Sequence, residues 1–308
     1  MTWPPIVQTL AVDHPPAVEY PSDGDLVAVL RKFGVGAGAL LGHGGEARVY
    51  ALDEDRVIRV LHHGGRADEI VRRQRLIAEL GRSGPPFALP EILEVGEAAG
   101  RVFVIERRLP GRSVSEALGS VEGEARGRLV EHYLGAAAAL GDLHLEPRRT
   151  FGDLILAEPI ETTSWRTYLA ERAAANLARS TSDFRPIDPV ALADDLPDAT
   201  EPAFVHLDAF TGNMLTDGVA VTAVIDIGST SVAGDRRLDP LSAAVYLASE
   251  ITPQARPADV DVAMSWLRAA GLEQWFEPAR RWLAAFWSFA VDDPELLRWC
   301  RSVLLARP

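Results

Sequence analysis

The feature that most constrains this chain is an ordered set of oxygen-bearing side chains in its second half. Asp208 and Asn213 lie five residues apart between two short apolar runs, and Asp226 follows Asn213 after thirteen residues. Asp226 ends another apolar run and stands two residues before Gly228. Short apolar runs separated by turn residues are typical of a hairpin, which would bring the two turns together.

This order and spacing fits phosphoryl transfer from a nucleoside triphosphate. Asp208 would accept or orient the proton of the attacking hydroxyl group. Asn213 and Asp226 would supply oxygen ligands, which are the ligands that Mg²⁺ prefers. Taken singly, Asp208 and Asn213 are also typical turn residues and Asp226 a typical strand end. The three in this order, after a glycine-rich turn, favour the functional interpretation.

The glycine-rich turn is Gly42-His43-Gly44-Gly45, between two runs of β-type residues. Clustered glycines let backbone N–H groups approach phosphates closely, although such a cluster is also typical of a simple hairpin turn. Arg59, in the β-type run that follows, stands where an ATP-binding kinase has a lysine on its third strand. We therefore predict that Gly42, Gly44, Gly45 and Arg59 bind phosphates.

The chain changes character about a third of the way along. Residues 47–52 with 56–61, and 92–95 with 102–105, read as two hairpins, and Asp68–Leu80 has the spacing of a helix. A proline-containing lead precedes them, with Ser22 or Asp23 as a helix cap. Later segments are Ala/Leu/Arg-rich and helical, for example 123–145. The sequence predicts an α+β chain in two lobes, a β-rich lobe with one main helix (1–108) and a larger α-rich lobe (109–308).

Composition narrows the partners. Basic residues number 31 against 44 acidic ones, a net charge of −13, which disfavours binding to nucleic acid. The single cysteine, Cys300, excludes a disulfide framework. Residues 1–13 lack a basic run followed by an apolar core, and no apolar run reaches membrane-spanning length. We expect a cytoplasmic monomer or weak dimer with neither a nucleic-acid nor a membrane partner.

The chain resembles the aminoglycoside phosphotransferase family of small-molecule kinases. The family's His-Gly-Asp-Leu-His-x-x-Asn motif looks like the segment from His206 to Asn213, and its Ile-Asp-Phe/Trp turn looks like Ile225–Ile227. The Gly-Asp-Pro-x-x-Asp-Leu motif looks like Gly234–Pro240, and the Glu-x-x-x-Gly connection between lobes looks like 106–111. Leu207 and Phe210 replace a small and a polar residue, which predicts a more apolar acceptor side.

The resemblance implies a protein-kinase-like fold with ATP or GTP as donor and Mg²⁺ as cofactor. It implies that the base of the nucleotide binds near Glu106 and Arg108. It also implies Asp208 as the catalytic base, with Asn213 and Asp226 on magnesium. His206 and Asp239 would brace the catalytic loop.

Two matters stay open at the sequence level. Glu69 and Glu79 are candidate partners for Arg59, although the helix positions that align best hold Arg73-Gln74.

The acceptor would be a hydroxyl of a small molecule, an aminoglycoside-like or other antibiotic being one candidate. The acidic residues 292, 293 and 295 resemble the region with which the family holds cationic aminoglycosides, or they are a solvated helix end. Alternatives are a metabolic kinase for choline, homoserine, a sugar or a fructosamine, and a nucleotide-binding pseudokinase.

Overall fold

The computed structural model describes residues 23–62 and 66–306. The proline-containing lead, with Ser22 as a candidate cap, lies outside the described residues. Helix α1 (Asp23–Lys32) precedes an antiparallel sheet with strand order β1-β2-β3-β5-β4. Its strands are β1 (Leu40–His43), β2 (Ala47–Ala51), β3 (Arg56–Leu61), β4 (Ile92–Ala98) and β5 (Arg101–Arg107). Both predicted hairpins are present.

The two faces of this sheet have different roles. Because side chains alternate along a strand, Ile58 and Val60 of β3 lie on the face opposite to Arg59. On their face they join Phe103 and the α1 residues Leu26 and Val29 in a small buried cluster. Helix α2 (Ala67–Leu80) contributes apolar side chains to a different, larger cluster. Arg59 is therefore excluded from the cluster on the α1 side of the sheet.

The rest of the described chain is mostly helical. The helices are α3 (Val114–Leu118), α4 (Gly123–Leu140), α5 (Trp165–Arg179), α6 (Pro189–Asp194), α7 (Leu238–Val245), α8 (Pro257–Ala269), α9 (Phe276–Trp287) and α10 (Pro294–Leu304). The predicted helix 123–145 ends earlier, at Leu140, where Gly141 is the C-cap residue. The predicted lobe boundary at 108 falls just after β5.

Two small antiparallel sheets lie among these helices. Their strands are β6 (Arg112–Ser113), β7 (Phe151–Asp153), β8 (Glu161–Thr162), β9 (Ala203–Val205), β10 (Met214–Thr216), β11 (Val221–Val224) and β12 (Val232–Gly234). One sheet has the order β11-β10-β6 and the other β8-β7-β12-β9. The loop 206–213 therefore leaves one sheet and enters the other.

Large aromatic side chains fill the core of the helical part. Tyr133, Trp165, Tyr246 and Trp282 are among the most completely buried, and they belong to the large cluster that extends from α2 to α10. A buried ion pair of 2.6 Å between Arg126 of α4 and Asp259 of α8 lies in this part. Among the described residues, we find no helix with both the length and the apolar character needed to cross a bilayer.

Candidate active site

A hairpin brings together the two turns that the sequence singled out. In the β10–β11 pair, Met214 lies opposite Val224, and the N–H of Ile225 donates to the carbonyl of Asn213 at 2.9 Å. Asn213 and Asp226 are the residues that flank this end of the hairpin. The hairpin therefore fixes their separation through backbone hydrogen bonds rather than through side-chain packing.

Hydrogen bonds from helix α7 and from the residue that follows it fix the loop that carries Asp208. The carboxylate of Asp239 accepts the N–H groups of His206 at 2.8 Å and Leu207 at 2.9 Å. The hydroxyl of Tyr246 donates to the carbonyl of Leu207. Burial raises the pKa of Asp239 to about 7, although the two N–H donors act to lower it.

One residue of this loop and one in the turn after β11 adopt a backbone conformation that L-residues rarely take. Leu207 has φ +62° and Asp226 has φ +61°, both in the left-handed region. Such a residue persists only where its surroundings hold it. The bonds to Asp239 and Tyr246 fix Leu207 in this way.

His206 connects the loop to the strand that ends before Asp226. Its Nε2 lies 3.1 Å from the carbonyl oxygen of Ile225, and the N–H of Asp208 donates to its Nδ1 at 3.3 Å. Because a carbonyl oxygen only accepts, Nε2 carries the proton. Burial lowers the pKa of His206. The neutral ring therefore links Asp208 and Ile225, a geometry suited to the predicted role as a brace.

Asn213 is oriented by the residue predicted as base. Its side-chain Nδ2 donates to the backbone carbonyl of Asp208 at 2.9 Å and to Oδ2 of Asp208 at 3.0 Å. The amide oxygen of Asn213 is therefore turned away from Asp208 and is the atom that can face a cation. Leu207 and Phe210 are buried in the core, so neither supplies the apolar acceptor surface that their identities predicted.

Three carboxyl groups share one poorly solvated region. Burial raises the pKa of Asp208 well above its ordinary value, and the charges of Asp226 and Glu46 raise it further. Burial likewise raises the pKa of Glu46, with Asp226 the next cause. Hydrogen bonds carry the geometry, since Asp208 is bonded to Asn213, whose carbonyl accepts the N–H of Ile225, the residue before Asp226.

Glu46 is a residue that the sequence analysis missed. It stands in the β1–β2 turn directly after Gly45, and its Oε1 accepts a hydrogen bond from the Ser229 hydroxyl at 2.6 Å. A Cβ added at Gly228 would lie 3.9 Å from Oε2 of Glu46 and 4.0 Å from Oδ1 of Asp226. The glycine-rich turn is thus tied to the segment that follows Asp226. Its one sequence signal is an acidic residue beside clustered glycines.

Arg59 lies between two carboxylates. Its Nη1 donates to Oδ1 of Asp226 at 3.0 Å, and its Nε lies 3.8 Å from Oε1 of Glu106. Burial alone would lower the pKa of Arg59, but the charges of Asp226, Glu106 and Glu46 raise it above its ordinary value. Arg59 therefore stays positive and in contact with the residue predicted to hold a metal.

Neither of the two candidate glutamates is found paired with Arg59. Glu69 accepts the N–H of Ala157 at 3.1 Å, and Glu79 accepts the N–H of Glu146. Both carboxylates therefore hold the backbone of later segments. The second carboxylate near Arg59 is Glu106, from the neighbouring strand β5.

The connection after β5 uses its backbone donors internally. The N–H of Arg107 donates to the carbonyl of Glu91 at 2.9 Å, and the N–H of Arg108 donates to the carbonyl of Asp55 at 2.7 Å. The side chain of Arg108 is exposed, whereas that of Glu106 is buried. The expected nucleotide contacts of Glu106 and Arg108 stay predictions, and these two N–H groups are already engaged.

The acidic residues near the C-terminus serve a helix start. Asp293 caps α10 by accepting the N–H groups of Glu295 at 3.1 Å and Leu296 at 3.0 Å. Glu295 pairs with Arg298 at 2.5 Å. This is the solvated helix end that was the alternative to a pocket for a cationic acceptor.

Binding of Mg²⁺ at this site would require oxygen donors from outside the chain. Within residues 23–62 and 66–306, no three His, Cys, Asp or Glu side chains are grouped to hold an ion by themselves. Asn213 and Asp226 would contribute only two oxygen-bearing groups. Mg²⁺ bound to a nucleotide is normally held by one or two protein groups together with phosphate oxygens, and this donor set fits that arrangement.

An antiparallel β-sheet followed by a helical part, with a braced Asp-x-x-x-x-Asn loop beside an Asp-x-Gly turn, defines a kinase-like phosphotransferase fold. The model of the phosphotransferase enzyme family matches residues 38–272, so the chain belongs to this family. The resemblance to aminoglycoside phosphotransferases and the predicted fold class are thereby confirmed.

Individual relatives are distant. The chain is 25% identical over 213 residues to hygromycin-B 4-O-kinase of Escherichia coli, a match that spans 65% of this chain and 59% of that protein. The GDP and kanamycin complex of APH(2")-IIia superposes with a TM-score of 0.59 and 15% identity, covering 92% of this chain and 97% of the other. The streptomycin-ATP-APH(2")-IIa ternary complex gives 0.59 and 12%, covering 95% and 98%. These structures share the fold of this chain.

Proposed function

We propose that this chain is a Mg²⁺-dependent kinase that transfers the γ-phosphate of ATP or GTP to a hydroxyl group of a small molecule. The observation that carries the proposal is the convergence of Asp208, Asn213 and Asp226 beside the glycine-rich turn. A hydrogen bond joins Asp208 to Asn213, and the N–H of Ile225, the residue before Asp226, donates to the carbonyl of Asn213 at 2.9 Å. The charges of Asp226 and Glu46 raise the pKa of Asp208. These groups come from separate turns, and their convergence supports a common site.

The groups divide by chemistry. Arg59 and backbone N–H groups of Gly42, Gly44 and Gly45 would bind the phosphates. The amide oxygen of Asn213 and the carboxylate of Asp226 would hold Mg²⁺, which supplies positive charge against the transferring phosphoryl group. The charge of Asp226 raises the pKa values of both Asp208 and Glu46. A divalent ion would offset this repulsion among the carboxyl groups.

Asp208 would act on the acceptor. The acceptor oxygen forms a bond to the γ-phosphorus, the bond from that phosphorus to the bridging oxygen breaks, and the nucleoside diphosphate leaves with the electron pair. The proton of the hydroxyl group passes to Asp208. Because burial and neighbouring charges raise the pKa of this carboxyl, it is a better proton acceptor than an exposed aspartate. His206 and Asp239 would hold the loop during transfer.

An aminoglycoside-like acceptor fits best. Relatives of this chain are named for hygromycin B or were captured with kanamycin and streptomycin. The net charge of −13 favours a cationic small molecule over an anionic one. The site groups named above all come from one chain, so a monomer or weak dimer suffices. A cytoplasmic location belongs to the proposal, because the proposed nucleotide donors are found there.

The test is a panel of acceptors. The purified protein would be incubated with Mg²⁺ and either ATP or GTP. The antibiotic acceptors are hygromycin B, kanamycin, gentamicin and streptomycin, and the metabolic ones are choline, homoserine, sugars and fructosamines. We expect nucleoside diphosphate release with an antibiotic, and a mass increase of one phosphate group on it, in wild type but not in Asp208→Asn. Transfer to a metabolic acceptor alone would assign a metabolic kinase. Nucleotide binding without transfer to any acceptor would indicate a pseudokinase and overturn the proposal.

A further inference from the structure

Arg73, Glu106 and Arg59 follow one another in contact, and Arg59 ends this row beside Asp226. Arg59 comes from β3, Glu106 from β5 and Arg73 from α2. Oε1 of Glu106 lies 3.8 Å from Nε of Arg59 and 3.2 Å from Nη2 of Arg73. Only 6% of Glu106 and 8% of Arg73 is exposed. One carboxylate therefore stands between two guanidinium groups, almost out of contact with solvent.

The secondary structure dictates this row. In the β3–β5 pair, Arg59 lies opposite Val104 and Val57 opposite Glu106. Residues two apart on paired strands share a face, so Arg59 and Glu106 are diagonal neighbours. Arg73 lies among buried residues of α2, three residues after Ile70 and four before Ile77. An arginine in such an apolar stripe is costly unless it is paired.

The pairing within the row is incomplete. Within the described part of the chain, Nε of Arg59, Nε and Nη2 of Arg73, and Oε1 of Glu106 are buried and have no hydrogen bond of good geometry. With Asp226, which accepts a hydrogen bond from Nη1 of Arg59 at 3.0 Å, two guanidinium groups face two carboxylates. A glutamate at position 73 would leave Arg59 as the single positive group of the set. Arg73 therefore makes the surroundings of Arg59 more favourable for an anion than a glutamate at that position would.

We propose that Glu106 is the positioning residue of Arg59, and that Arg73 links Glu106 to α2. The row Arg73–Glu106–Arg59 thus takes the place of a direct ion pair between α2 and β3. This inference rests on the proposed function, because it assumes that Arg59 contacts nucleotide phosphates. Glu106 faces Nε of Arg59 at 3.8 Å, while Nη1 of Arg59 reaches Asp226 at 3.0 Å, so Glu106 directs the Nη groups toward the turn of Asp226. Arg73 shares the charge of Glu106, so that less of that charge acts on Arg59.

The affinity for nucleoside triphosphates, compared with that for nucleosides, measures whether Arg59 is correctly positioned. Glu106→Gln leaves Asp226 as the charged partner of Arg59, and Arg73→Gln leaves Glu106 to pair with Arg59 alone. Each change should weaken the binding of Mg²⁺-ATP and Mg²⁺-GTP by about tenfold, a typical coupling for residues in contact. Adenosine and guanosine lack phosphates, so their dissociation constants should not change where Glu106 acts on Arg59 and not on the base. Since both variants act through the same guanidinium, Glu106→Gln/Arg73→Gln should bind no more weakly than Glu106→Gln alone.

The experiment is calorimetric titration of wild type and these variants with Mg²⁺-ATP, Mg²⁺-GTP and the two nucleosides. Glu106→Asp keeps the charge and should retain most of the affinity, and it replaces Glu106→Gln if the latter does not fold. Asp259→Asn breaks the buried pair with Arg126 in the helical part. This control should lower the melting temperature and leave the ratio of triphosphate to nucleoside affinity unchanged.

The outcomes separate the two proposals. Wild type that binds no nucleotide contradicts the proposed function, and with it the role given to Glu106. Wild-type binding that Glu106→Gln or Arg73→Gln leaves unchanged overturns the row alone. Equal losses for triphosphates and nucleosides would assign these residues a structural role or a contact with the base, and additive losses in the double variant would show that the two act separately. Either result also overturns the inference.

Discussion

Nε2 of His206 and the carbonyl oxygen of Ile225 are 3.1 Å apart, and this contact joins the loop of Asp208 to the strand end before Asp226. The two residues are nineteen apart in sequence. The donor is a neutral ring whose other nitrogen accepts the N–H of Asp208. Protonation of Nδ1 would remove the acceptor for the N–H of Asp208, so the full set of hydrogen bonds around this loop requires a neutral imidazole.

This dependence predicts a pH effect on stability. Burial lowers the pKa of His206 below its ordinary value of 6.5, so near and below that pH the unfolded chain binds more protons than the folded one. The contribution of His206 is therefore present above about pH 6.5 and lost as the pH falls. Asp239, Asp226 and Arg73 are the charged groups around the ring, and His206→Gln leaves all three in place.

Urea unfolding of wild type and His206→Gln, at about pH 8 and about pH 5.5, measures the effect. The difference in unfolding free energy should shrink at the lower pH, by at most about 1.4 kcal/mol per pH unit. A difference that stays constant with pH would show that His206 does not titrate between the two states.

Removing the charge of Asp239 should loosen the loop. Asp239→Asn keeps one oxygen acceptor for the N–H groups of His206 and Leu207 but places an NH₂ group against the other. At about pH 8, where the carboxylate is ionised, we expect a loss of about 1.5–3 kcal/mol in unfolding free energy. Phosphate transfer should slow while nucleotide affinity is kept.

Asp217→Asn is the matched control. Asp217 also accepts two backbone N–H groups, those of Val219 at 2.8 Å and Ala220 at 3.0 Å, but it is exposed. Its replacement should cost less than about 1 kcal/mol. Equal losses at positions 217 and 239 would contradict the special role given to the buried carboxylate.

Asp226 should determine the metal dependence of nucleotide binding. Because its carboxylate is the proposed Mg²⁺ ligand and also holds Arg59, Asp226→Asn should weaken Mg²⁺-ATP binding by about tenfold or more. The variant should also lose the difference in affinity that wild type shows with and without a chelator. Titration calorimetry measures both. A variant that still responds to Mg²⁺ as wild type does would rule out Asp226 as a ligand.

Two glycines should respond oppositely to alanine. At Gly212 a Cβ would lie 2.3 Å from Cζ of Phe210, so the buried ring must move. Gly212→Ala should cost about 1–3 kcal/mol. At Gly135, in α4, a Cβ meets no atom within 4 Å, and Gly135→Ala should add about 0.5–1 kcal/mol through helix propensity. Thermal melts at one pH check both signs, and destabilisation at both positions would refute the steric reason.

The sequence was sufficient for much of the fold. Alternation over 47–52 and 56–61 and the apolar spacing of α2 are local signals, and both elements formed where they were predicted. The partner of Arg59 was not predictable in this way. Glu106 reaches Arg59 only because β5 pairs beside β3 in a particular register. Nothing within either strand specifies that register.

The site residues also differ in whether the sequence predicts them. Asp208, Asn213 and Asp226 stand out because their spacing along the chain forms a recognisable motif. Glu46 does not, because an acidic residue after glycines looks like any solvated turn until Ser229 is found beside it. For residues 292, 293 and 295 the sequence left a helix end and a ligand-binding region open, and the structure shows Asp293 as the cap of α10.

The left-handed backbone at Leu207 has a consequence for how this chain can vary. A β-branched residue there would clash with its own main chain whatever room its neighbours leave. Valine or isoleucine at 207 should therefore displace the next residue's carboxyl while leaving every chemically essential group in the sequence. A natural variant with valine or isoleucine at 207 would thus keep Asp208, Asn213 and Asp226 and still lack phosphate transfer.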